Sequence, residues 1–167
     1  MNGSSGVVPK PQSLRLIWVA MCISVIVYGV VAFLVSRATV SEREGFQRGD
    51  FFADPLVIAL HLAGFGAIAA GFVLPGIMLR ARQARDPLTP PQQPGAPFVL
   101  TASVMQAVMI RFALCESAGV MGLVLAFVTG TPWMFVPLGL ASLSALLLSH
   151  PAEDKLREFD ETVRGPR

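Results

Sequence analysis

Arg111 and Glu116 are the two formal charges that fall inside the apolar stretches of this sequence. At the centre of a membrane-spanning helix a charge costs about 2.5–3.5 kcal/mol, while each Leu, Ile, Phe or Val returns about 0.3–0.6. Val108 to Phe127 contains nine such apolar residues, together worth roughly 3–5 kcal/mol, enough to offset one central charge and not two. The stem of Arg111 can carry its guanidinium to the interface, which assigns it an interfacial charge. Glu116 is left near mid-depth. A carboxyl there can fix a helix pair through one hydrogen bond, worth about 1 kcal/mol, or exchange a proton or a cation. Both readings stay open on the residues alone.

A partner for Glu116 is suggested by depth. Glu116 stands twelve residues in from Val128, and Gly71 fifteen in from Leu56, so both lie about 18–22 Å from the same end of their stretches. Pro75 cannot donate to the carbonyl of Gly71 and is expected to kink its helix. That free carbonyl, beside Gly64 and Gly66, offers close backbone approach and an acceptor. The candidate ion-binding group is therefore Glu116, Ser117 and Gly71. His61 lies too far toward the end for an easy pair with Glu116 and reads as a histidine with one satisfied nitrogen. Arg111 and Glu116, five residues apart, diverge by roughly 140° around one helix. Cys22 and Cys115 both fall in apolar stretches and read as packing residues. The sequence contains no nucleophile–base pair, phosphate-binding glycine loop or metal-spaced His/Cys cluster, so no catalytic residue, metal or cofactor is expected.

The elements that must hold these residues follow from composition. The chain has 167 residues, 53% hydrophobic and 14% charged, with a mean hydropathy of +0.62. A soluble domain carries about 25% charged residues, so the composition excludes an ordinary soluble enzyme and points to a membrane protein. A formal net charge of +2, spread along the chain, gives no footprint for nucleic acid. About 20 apolar residues cross a hydrocarbon core. Four stretches come close, predicting spans at about 14–36, 56–80, 100–128 and 133–149 within a transmembrane domain of residues 14–150. The first is too long for the apolar region of a signal peptide, and no small-residue cleavage site follows it.

Nine Lys and Arg residues fall on one side of these spans and Arg37, Arg43 and Arg48 on the other. The positive-inside rule then places the tail 1–13, the loop after the second span and the tail 151–167 in the cytoplasm. Residues 81–97, with five prolines, read as an extended connector. In the tail, Ala152, Leu156, Phe159 and Val163 form one apolar helix face. Thr131 and Pro132 suit a helix start, and Pro137 either kinks the fourth span or marks its beginning. Gly29, Gly64, Gly71, Gly119 and Gly122 are expected at helix contacts.

Ala113-Leu114-Cys115-Glu116-Ser117, followed by Gly122-Leu123-Val124-Leu125-Ala126-Phe127, resembles the carboxylate helix of the ring-forming proteolipid subunits of rotary ATP synthases. Gly64, Gly66 and Gly71, with Arg82-Gln83 beyond them, are similar to that family's glycine-rich first helix and polar loop. The resemblance covers roughly residues 56–130. It implies that Glu116 carries a proton or sodium ion, with the Ser117 hydroxyl beside it. Pro75, Met121 and the longer loop depart from the family pattern. The chain as a whole resembles the small four-span membrane proteins common in bacteria.

The sequence therefore predicts an all-α integral membrane four-helix bundle with a short cytoplasmic, amphipathic C-terminal helix. The expected location is the inner, plasma membrane. The expected function is that of a non-enzymatic accessory or scaffold component; the alternative is proton or sodium handling through Glu116. Expected partners are the lipid bilayer and either further copies of the chain or another membrane subunit, with no nucleic acid.

Overall fold

Long apolar runs satisfy their backbone polar groups internally by coiling into helices, and every regular element found here is helical. The computed structural model describes residues 11–39, 54–85 and 102–164. Three long helices, α1 (Pro11–Thr39), α2 (Pro55–Arg85) and α3 (Ala102–Thr129), are followed by α4 (Phe135–Leu148) and α5 (Glu153–Arg164). Each of α1, α2 and α3 is long and apolar enough to cross a membrane. Residues 81–85, expected to begin the extended connector, instead continue α2, their run of Ala, Arg and Gln carrying no proline; the rest of the proline-rich connector and the Ser41–Ala53 loop lie outside the described residues, as do the side chains of Phe159 and Val163.

Local chemistry sets the helix ends. Asp54 starts α2, its Oδ1 accepting from the Leu56 N–H at 2.8 Å, with Pro55 in the first helical position where no N–H is needed. Helix α3 ends at Gly130, whose φ of +64° is the one positive value among the described residues; glycine adopts this conformation without a Cβ penalty. Thr131 then precedes a single 3-10 turn, Pro132–Met134, and makes no side-chain cap bond. Its hydroxyl turns back to the carbonyl of Thr129 at 3.4 Å instead. Pro137 sits in the first turn of α4, where its missing N–H removes no intrahelical bond, so it belongs to the start of the helix. Pro75 is buried inside α2, which continues as one helix through it.

Helix α3 is the hub. Of its most apolar window 44% is buried, against 11% for α1 and 17% for α2, because α1 and α2 each meet α3 and α4 and barely meet each other. Leu79 joins Ala107 near one end of the α2–α3 pair, and Val57 joins Leu125 toward the other, so these helices run antiparallel. Helix α1 runs parallel to α3 and antiparallel to α4. At its start Trp18 donates from Nε1 to the carbonyl of Leu146 at 2.7 Å, and near its end Phe33 meets Trp133 edge-on at 5.4 Å. The Leu146 carbonyl thereby accepts from Trp18 on α1 as well as from the Ser149 N–H that closes α4.

Close approach depends on glycine at the α3–α4 seam. A Cβ at Gly122 would lie 3.2 Å from the Phe135 carbonyl oxygen and from Leu138 Cβ. Gly29, Gly64, Gly71 and Gly119 likewise face atoms of a neighbouring helix, whereas Gly66 and Gly76 face open space.

Candidate functional site

Neighbouring positions on α3 point to different helices because each residue turns the side chain by about 100°. Leu114 and Cys115 face α2, where they and the Arg111 carbonyl are the atoms nearest a Cβ built on Gly71. The carbonyl of Cys115 accepts a 2.7 Å bond from Ser142 Oγ on α4. Glu116, the next residue, is turned to α1: Tyr28 Oη donates to its Oε1 at 3.0 Å. Glu116 is the one acidic residue in α1 to α4, and Tyr28 the one tyrosine in the chain. Glu116 is half-buried, and its second carboxylate oxygen, Oε2, has no hydrogen bond among the described residues.

Glu116, Ser117 and Gly71 thus have different nearest partners. Gly71 does come against α3, but beside Leu114 and Cys115. Ser117 Oγ is committed to its own helix, donating to the Leu114 carbonyl at 2.7 Å. Such an i to i−3 bond competes with outward ligation. His61 Nδ1 lies 2.8 Å from the carbonyl of Val57, one turn back on α2. Cys22 and Cys115 are free thiols, Cys115 buried.

Arg111 lies on α3 over the ring of Phe72 from α2, with its guanidinium carbon 4.1 Å from the ring centroid. Its Nε is buried and has no hydrogen-bond partner. A cation over an aromatic face gains about 0.5–2 kcal/mol, more when desolvated. Arg111 therefore interacts chiefly with α2, while Glu116 interacts with α1, and the two charges stay apart as their spacing requires.

Tyr28, Ser142 and Trp18 are the polar groups that pattern reading overlooked. A signal for Tyr28 was present: a tyrosine twelve residues inside an uncharged run must find a partner for its hydroxyl. Ser142 is fully buried, and its neighbour Gly119 leaves the room it needs, since a Cβ there would lie 3.2 Å from Ser142 Oγ. Ser142→Ala is expected to lower thermal stability in detergent by about 0.6–1.7 kcal/mol, the range of interhelical side-chain bonds in membrane bundles. An unchanged melting temperature would show that this bond does not hold α3 to α4.

Arranged this way, the Glu116 carboxyl has one oxygen tied to α1 and one left free. That geometry can clasp two helices, and it leaves one carboxylate oxygen without a hydrogen bond among the described residues. No protein-family model matches the chain, and neither a curated protein nor a solved structure matches it.

Proposed function

We propose that this chain is a multi-pass protein of the bacterial inner membrane, with both termini in the cytoplasm, that serves as a non-enzymatic accessory or scaffold component. The observation that carries the reading is the bond from Tyr28 to Glu116, which gives the one intramembrane acid the work of pairing α1 with α3. Further support comes from α1 and α2, whose apolar faces are largely uncovered within the chain and are available to lipid or to partner helices. Lipid tails supply no hydrophobic drive between helices, so a polar clasp and close small-residue contacts fix the pairing. The excess of Lys and Arg on one side supports cytoplasmic termini.

A second reading, proton or sodium handling by Glu116, is favoured by the free Oε2 and by the likeness of the Ala-Leu-x-Glu stretch to proteolipid ring subunits. In that reading the Tyr28 hydroxyl steadies the carboxyl while Oε2 exchanges its ion.

Carbodiimide labelling of the purified protein in detergent across pH, read by mass spectrometry, separates the two. The scaffold reading expects any labelling of Glu116 to be insensitive to sodium. It also expects Tyr28→Phe to lower the melting temperature, with a loss of about 0.6–1.7 kcal/mol. Labelling that disappears in Glu116→Gln, and that is slowed by sodium, would overturn it in favour of ion handling.

A further inference from the structure

The short fourth helix leaves a crevice at the basic end of the bundle. From Pro132 to Leu148 the chain covers 17 residues, about 25 Å, whereas α3 has 28. In the antiparallel hairpin about Gly130, α4 therefore ends level with Arg111. Beyond that level α5 folds back, with Leu156 buried. The crevice between them has a volume of about 50 Å³. Its polar side chains include Arg111, His150 and Lys155, and among the described residues no carboxylate lines it. Ala107, Val108 and Leu156 supply apolar wall.

Three observations converge on an anionic ligand. The Arg111 Nε is buried without an acceptor, a state that costs free energy unless something supplies one. Among the described residues Arg111 makes no ion pair, and its guanidinium lies against the Phe72 ring. His150, edge-on to Trp18 at 4.7 Å, lies on the crevice wall, and exposed Lys155 lies at α5. The acids of the first α5 turn, Glu153 and Asp154, are exposed and do not line the crevice.

We propose that this crevice holds the phosphodiester headgroup of an anionic phospholipid. The guanidinium fork matches two phosphate oxygens, and an ammonium serves as a point charge beside it. The ligand is a lipid because the crevice opens where α5 meets the bundle, and Arg111 on its wall lies over Phe72, which is exposed on α2 and offers an apolar surface to an acyl chain. Basic pockets between spans on the cytoplasmic side bind such headgroups by the same physics. The inference rests on the membrane placement proposed above.

The test uses the full chain purified in detergent and incubated with dioleoylphosphatidylglycerol, dioleoylphosphatidylcholine or inorganic phosphate, with bound molecules counted by native mass spectrometry. Retention of the phosphatidylglycerol over the phosphatidylcholine is expected, and Arg111→Gln or Lys155→Gln should each weaken it about fivefold, the effect of one basic residue near an anionic surface. Lys155 is exposed, so its variant is expected to fold even if the Arg111 variant does not. Arg157→Gln, exposed and outside the crevice, should leave retention unchanged. Equal retention of both lipids, equal loss in Arg157→Gln, no loss in Lys155→Gln, or displacement by inorganic phosphate as effective as by lipid would overturn the proposal. Alkaline washing of membranes separates the two levels. A chain washed off the membrane refutes the placement, and one that stays but shows no headgroup preference refutes the site alone.

Discussion

Leucine in place of Gly122 is expected to undo the α3–α4 hairpin. A Cβ there would stand 3.2 Å from Leu138 Cβ and from both the carbonyl oxygen and a ring carbon of Phe135. A flexible side chain can move aside, but a helix backbone cannot do so without separating the helices. Overpacking of this kind costs about 1–3 kcal/mol, occasionally more, and Gly122 lies at the seam through which α4 reaches the hub. The Ser142–Cys115 bond and the buried Phe135 and Leu138 depend on the same approach. Thermal unfolding in detergent, followed by size-exclusion chromatography, would read the loss as a lower melting temperature and a broadened peak. Gly66→Leu is the control, because nothing lies within 4 Å of a Cβ at that position. It should be neutral or stabilising by up to about 1 kcal/mol through helix propensity. Equal effects at Gly122 and Gly66 would mean that the seam does not require glycine.

Arg111→Met is expected to stabilise the protein in a detergent free of anionic lipid. A charge in a span costs about 2.5–3.5 kcal/mol at the centre and less toward the ends. Against that, the contact with Phe72 contributes about 0.5–2 kcal/mol, while the buried, unpartnered Nε adds to the cost. Methionine retains the apolar stem, which also packs, so the balance favours the substitution by roughly 1–2 kcal/mol. A higher melting temperature in neutral detergent is the expected result. A lower one would show that the guanidinium supports the fold by itself and that the ring contact outweighs the cost of the charge. Positions of this kind, retained at a cost in stability, are where binding groups are found.

Much of this architecture could be read from the residues. Uncharged runs about as long as a bilayer is thick have few alternatives to helices, so α1, α2 and α3 follow from Leu16–Ser36, Leu56–Leu79 and the stretch around Glu116. Helix starts at Asp54-Pro55 and the Gly130 turn are equally local, because caps and positive φ depend on one or two residues. Pro137 was ambiguous between kink and start; its place three residues into α4 follows from where the 3-10 turn ends, which depends on how Phe135 and Leu138 dock.

The candidate site divides along the same line. Rise per residue makes depth legible, and Gly71 does come against α3 within two residues of Glu116 in sequence. Rotation is not legible in the same way, since a step from Cys115 to Glu116 turns the side chain by about 100°. The neighbour found there depends on where α1, α2 and α4 stand around α3. Tyr28 and Glu116 are 88 positions apart in sequence, and no local pattern links them. The sequence by itself determined the number of the charged positions, their place along the helices and the helical character of the long runs, because hydrophobic length and backbone satisfaction are one-dimensional constraints. Only the tertiary structure decided that Glu116 meets Tyr28, that Ser142 reaches Cys115 and that Arg111 is left facing a crevice, because those outcomes depend on helix azimuth, which is set by packing among distant segments.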